Sequence, residues 1–285
     1  LNDTANNFAS RFTFRISATV AQNADLRFQI IFADGSYSDF QWINTVGNPS
    51  FATQSGNNVA LTITSKGTFG FNNYPTNNQG IGFKYRDGLN NLFEGALMLA
   101  TSNTRVSDNA RNAAGTAQNT DFSTLQPFLL RIPGTVSDVQ GSTIFTDASA
   151  TNPIRVNVRL NSYSFTTAAH QNFIILQFNI KNNNATAISN LFAGLFFDWD
   201  MIDGSGANDI ASWDSIGNFG FVDHLGASPT HFVGTALLSS TNYGFFAIDN
   251  DQAVSGNPWG IYDGFSDNEK WLSLSSGIGR KNAGP

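Results

Sequence analysis

Apolar and polar residues alternate with a period of two along most of the chain, which is the signature of half-buried strands. Phe12, Phe14, Ile16, Ala18 and Val20 fall on one side of such a strand, and Arg11, Thr13, Arg15, Ser17 and Thr19 on the other. Leu26, Phe28, Ile30 and Phe32 repeat the pattern, Asp34-Gly35 supplies a hairpin turn, and Phe40 and Trp42 lie on a return strand that closes near Val46-Gly47. Residues 11–47 therefore read as a three-strand meander, too few strands for a sandwich by themselves. A Gly-, Asn- and Ser-rich stretch at 48–58 reads as a linker. Strands resume at Val59–Thr64, Thr68–Phe71, Ile81–Tyr85 and Ala96–Ala100, with a turn at Asp87-Gly88. Residues 101–125 lack apolar periodicity and predict a long loop with one helical turn at most.

Beyond it, Phe128–Ile132 and Thr143–Phe145 are short strands, and Ile154, Val156, Val158 and Leu160 alternate with Arg155, Asn157, Arg159 and Asn161. The parity then flips at Tyr163 and Phe165, which predicts a bulge near Ser162. Ile174–Ile180, Leu191–Trp199, Gly217–Val222, His231–Leu238 and Tyr243–Asp249 complete the strands. One helix is predicted, where Ser266-Asp267-Asn268-Glu269 spells a capping box ahead of Trp271 and Leu272. Many short strands separated by turns predict an all-β protein, a large antiparallel β-sandwich with a single short helix near 266–274.

Composition strengthens that picture. Asn occurs 34 times and Asp 19 times, against 2 Glu and 5 Lys, so turn formers dominate and surface helix formers are scarce. A helical bundle is excluded. The net charge of −6 argues against nucleic acid and against an anionic membrane surface. No stretch of 18 apolar residues occurs, so no helical span is expected. The start at Leu1 and the Arg280-Lys281-Asn282-Ala283-Gly284-Pro285 end read as a piece cut from a longer polypeptide. Abundant Asn, Ser, Thr and Gly, with little Lys and Glu and no Cys, suits an extracellular or cell-surface β-protein.

Several segments carry a family resemblance. Leu195-Phe196-Phe197-Asp198-Trp199-Asp200, Ala247-Ile248-Asp249-Asn250-Asp251 and Tyr262 to Trp271, together with Gly80 to Phe83 and Leu92 to Gly95, resemble the β-rich segment that follows subtilisin-like protease domains in large secreted bacterial multidomain proteins. The resemblance covers about residues 55–283. Residues 11–47, with Asp34-Gly35-Ser36-Tyr37 and Trp42, look like the last strands of an Ig-like module. The resemblance implies secretion, membership of a larger protein and no reaction, because the protease triad would lie in a different domain. The expected division is 1–48 for the end of the Ig-like module or edge layer and 49–285 for the large sandwich.

The candidate chemistry is sparse. Asp198 and Asp200, two apart on a strand that runs into the turn at Asp203, form a candidate calcium site, with Asp249 and Asp251 as a second two-apart pair. Calcium takes six to eight oxygens, which such a turn can supply, but the spacing is not that of an EF-hand, and a polar strand end entering a turn is the preferred reading. His170, His224 and His231 do not space as a zinc site and read as loop or strand-end histidines. No Gly-x-Ser-x-Gly elbow stands between a strand and a helix. Glu94, in an apolar setting, is the one acid without an evident role. With Asp198 or Asp200 it would make a glycosidase-like pair, and otherwise it makes one structural hydrogen bond or an ion pair with an arginine. Trp213 and Trp259, in Gly- and Asp-rich loop contexts, are the candidate glycan platforms.

The function expected from these features is a non-catalytic extracellular structural or interaction region of a larger secreted protein. Its expected partners are other domains of the same polypeptide or copies of itself, since uncovered edge strands favour self-assembly. A carbohydrate-binding module is the first alternative and a glycosidase-like hydrolase the second.

Overall fold

The structure is a computed structural model that describes residues 16–17, 19–202, 206–226, 231–240, 243–251 and 260–284. The chain divides into two compact units, Leu1–Ser50 and Phe51–Pro285.

In the first unit, β1 (Ala24–Asp34) and β2 (Tyr37–Gly47) form one antiparallel hairpin, in register from Ala24 opposite Gly47 to Asp34 opposite Tyr37. Gly35 opens the two-residue turn with a positive φ of 57°, a conformation open to glycine without steric cost. Its base is tied by Asn23, whose Oδ1 accepts the Ser50 amide at 2.8 Å. Ile31, Phe40 and Trp42 share one exposed face, where the Arg27 guanidinium lies 4.0 Å over the Trp42 ring. Of the predicted strand that precedes β1, residues 11–15 lie outside the described residues, and residues 16, 17, 19 and 20 are not strand.

In the second unit the chain runs through β3 (Phe51–Gln54), β4 (Val59–Thr64), β5 (Thr68–Phe69), β6 (Phe83–Tyr85), β7 (Leu92–Ser102) and β8 (Arg105–Asp108). It continues through β9 (Ser123–Arg131), β10 (Val139–Thr146), β11 (Val156–Ser164), β12 (Ile175–Asn182) and β13 (Phe192–Trp199). β14 (Asp209–Asp214), β15 (Phe219–His224), β16 (Phe232–Ala236), α1 (Asp267–Ser275) and β17 (Asn282–Ala283) complete it. These strands make three antiparallel sheets. The largest runs β13-β7-β5-β4-β3, with β6 on β4 and β8 on β7; the second runs β12-β11-β10-β9 and the third β16-β15-β14-β17.

The first two sheets are the sandwich. Leu61, Ile63, Phe69, Leu97 and Leu99 of the large sheet meet Phe128, Phe145, Val156, Val158 and Leu160 of the second in one buried core. Each such side chain, fully buried, contributes about 1.5–3 kcal/mol. The opposite face of the large sheet is covered too: Ala96, Met98 and Phe196 pack under Ile261, Phe265 and Leu274, so α1 and the segment before it form a third layer. The helix begins at the predicted capping box, in which the Ser266 side chain accepts from the Glu269 amide and Glu269 reaches back to the Ser266 amide.

Several elements differ from the expectation. The supposed linker at 48–58 contains β3, whose Gln54 is fully buried. The expected bulge at Ser162 is absent, and β11 keeps unbroken register with both neighbours to its end. Ser162 and Ser164 take inward positions because Gln54 satisfies them: Ser162 Oγ donates to Gln54 Oε1 at 2.8 Å, and Gln54 Nε2 donates to Ser164 Oγ at 3.0 Å. Residues 101–125 carry β8 and an Arg111–Gln118 bridge and no helical turn. Residues 243–249 make isolated bridges rather than a strand, while β14 forms where none was predicted.

Candidate functional site

β7 and β13 are neighbours, and Glu94 stands directly opposite Asp198. Alternation sends Leu97, Leu99 and Phe197 into the sandwich core, while Glu94 and Asp198 lie toward the third layer. Gly95, opposite Phe197, keeps the strands close, since a Cβ there would lie 2.7 Å from the Phe197 ring.

Arg111, just past β8, bridges the two acids. Its Nε donates to Glu94 Oε1 at 2.8 Å and its Nη2 to Asp198 Oδ2. Its Nη1 donates to Asn250 Oδ1 at 3.0 Å and to the Ile261 carbonyl at 3.2 Å. Gln118 Nε2 donates to the second Glu94 oxygen at 3.2 Å, and the guanidinium lies over the rings of Phe93 and Tyr74. Glu94 is 2% and Arg111 5% exposed.

Burial dominates the electrostatics here. It pushes the Glu94 carboxyl up to about 7, because loss of solvent outweighs the attraction of Arg111, and Asp198 adds to the rise. Asp198 is raised for the same first reason, with Arg111 opposing. Burial works to lower Arg111, but Asp198 and Glu94 overcome it and hold the guanidinium firmly charged. Two acids around one cation would carry a net negative charge if both ionised, and a proton on Glu94 leaves the trio neutral. A glycosidase pair needs room between its carboxyls for a sugar carbon or a water. In this pair both carboxyls hold the same guanidinium.

The other predicted residues separate from this cluster. Register shifts between Asp198 and Trp199, β13 ends there, and the Asp200 amide donates to the Asn91 carbonyl at 3.1 Å. Asp200 then lines an open groove of about 430 Å³ with Phe93, Asn77 and Leu89. Asp203 lies outside the described residues. Asp249 accepts from the Asp251 amide at 3.0 Å and from Arg280 Nη2 at 3.3 Å, and Asp251 is exposed. Among the described residues no three His, Cys, Asp or Glu side chains converge as a metal-binding group. Trp213 is partly buried, with its ring stacked on Phe245 at 5.3 Å, and Trp259 lies outside the described residues. His224, the last residue of β15 and so a strand-end histidine as expected, is tied by Nδ1 to Asp209 Oδ1 at 2.8 Å.

Sequence reasoning missed Arg111 altogether, because it sits in the stretch without periodicity. It also missed a second buried ion pair. Lys270 of α1, fully buried, donates to Asp108 Oδ1 at 2.8 Å, and Asn119 donates to both oxygens of the same carboxylate. Burial pushes Asp108 up, with Lys270 opposing. A lysine at the fourth position of an exposed-looking helix carries no local sign of burial. Comparison with family models, with characterised proteins and with solved structures returns no match for this chain.

Proposed function

We propose that this chain is a non-catalytic, extracellular β-sandwich region of a larger secreted protein that supports or docks other domains or copies of itself. One observation carries the reading: Glu94 and Asp198, the acid pair a hydrolase would need, are both hydrogen-bonded to Arg111. A guanidinium held by two carboxylates, an amide oxygen and a carbonyl is a structural clamp, joining β7, β13 and the segment before α1. The Asn-rich, Lys- and Glu-poor composition supports the extracellular assignment. The purified chain is expected to show no turnover on panels of protease and glycoside substrates. Hydrolysis that disappears in Asp198→Ala, with the fold retained by circular dichroism, would overturn the reading.

A further inference from the structure

The third sheet presents a face that the clamp does not explain. Pairing of Asp214 with Phe219, Ser212 with Phe221 and Asp223 with Phe232 places these six side chains on one side of β14–β16. Phe232 is 66% exposed. Phe219 and Phe221 lie 5.6 Å apart between ring centroids. Opposite Phe221 the chain has Gly234, over which the Phe219 ring packs, since a Cβ there would stand 3.1 Å from Phe219 Cδ2. That side carries a cleft of about 350 Å³ whose side-chain walls are Asp214, Phe219, Phe221 and Phe232, while the Trp213 ring points to the other side of the sheet, against Phe245.

Its polar equipment is narrow. Asp214 Oδ1 accepts the amides of Ile216 and Gly217 at 2.8 and 3.0 Å, and Oδ2 has no hydrogen-bond partner among the described residues. A neutral polyol would need several donors and acceptors, whereas this cleft offers aromatic walls and one carboxylate. The surrounding charge points the same way. Between Lys181 and Lys270 the sequence has no Lys or Arg and eleven Asp or Glu, so β14, β15 and β16 carry no Lys or Arg; the basic residues nearest this sheet, Arg280 and Lys281, precede β17 on the far side of β14. By contrast, the exposed Trp42 of the first unit has Arg27 over its ring.

We propose that this cleft binds a quaternary ammonium group. Such a cation has an apolar surface to lie against the rings and a diffuse positive charge that aromatic faces and a carboxylate attract together. A ligand carrying an adjacent phosphate is disfavoured by the acidic surroundings. The proposal deepens the docking role above by naming the chemistry of what is docked, and it stands on residues that the Arg111 clamp does not use.

Isothermal titration of the whole chain at low salt with choline and with tetramethylammonium tests it. Both are expected to bind saturably, and the uncharged choline isostere 3,3-dimethylbutan-1-ol about tenfold more weakly or not at all. Asp214→Asn, whose amide oxygen still accepts the two turn amides, is expected to weaken choline about tenfold. Phe232→Ala, at an exposed position, should weaken it with the melting temperature unchanged. Absence of saturable choline binding, equal affinity for the neutral isostere, tighter binding of phosphocholine than choline, or an unaffected Asp214→Asn would each overturn the proposal. None of these results bears on the non-catalytic reading, which the substrate panels decide.

Discussion

Arg111 is the residue on which the covered end of the large sheet depends. Its guanidinium hydrogen-bonds two carboxyls that are largely withdrawn from water. Arg111→Met keeps most of the unbranched stem and removes the charge, leaving Glu94 and Asp198 facing each other across β7 and β13. We expect a loss of about 3–5 kcal/mol in urea unfolding, the usual cost of breaking one side of a buried ion pair. Glu94→Gln should cost far less, since the amide oxygen still accepts from Arg111. The same residue gives a pH dependence of defined sign. Glu94 has its carboxyl raised from 4.5 to about 7 on folding, so the folded chain binds the extra proton between those values. Its stabilising contribution is complete below about pH 4.5 and is lost as pH rises through about 7, by at most about 3 kcal/mol. Asp121, which burial raises to about 6, acts in the same direction. Unfolding curves at pH 5 and pH 8 are therefore expected to differ less in Glu94→Gln than in the parent chain. An unchanged difference would mean that Glu94 does not hold that proton.

At the scale of elements, α1 illustrates what is local and what is not. Its start was legible because a capping box is written in four consecutive residues, and the structure forms both reciprocal hydrogen bonds. Ser266→Ala should cost about 1 kcal/mol, with the helix retained. Lys270 shows the reverse. Nothing in the residues around it marks it as buried, because its partner Asp108 lies 162 positions earlier. Lys270→Met is accordingly expected to cost more than the cap mutation, about 3–5 kcal/mol, because it strands a fully buried carboxylate; thermal unfolding of the two variants side by side checks the order. β11 makes a related point. The inward turn of Ser162 and Ser164 looks like a bulge when only the apolar parity is read, yet the strand is regular because Gln54 supplies the missing hydrogen bonds.

At the scale of the molecule, both hydrophobic clusters are built from residues of the second unit. Among its described residues the first unit has a single hairpin, and two strands alone are marginal in water. A chain starting at Phe51 is therefore expected to fold by itself and to melt within about 3 °C of the parent, a shift corresponding to roughly 1 kcal/mol for a protein of this size. Loss of cooperative melting in the shortened chain would place part of the core's support in the first unit.

What the sequence determined by itself was the class and the position of many of the strands along the chain. Alternation, turn residues and a helix cap are local signals, and a two-residue period has one physical meaning wherever a sheet buries one side. The acids with candidate roles were legible as residues, and Glu94 was rightly singled out as needing a partner. Only the tertiary structure decided which partner. Glu94, Arg111 and Asp198 meet because β13 pairs with β7 across about a hundred residues and the segment after β8 folds onto the same face. Such a meeting has no period and no motif. A buried charge is stable only where desolvation is offset by a counter-charge, and that balance exists only once the sheets are assembled.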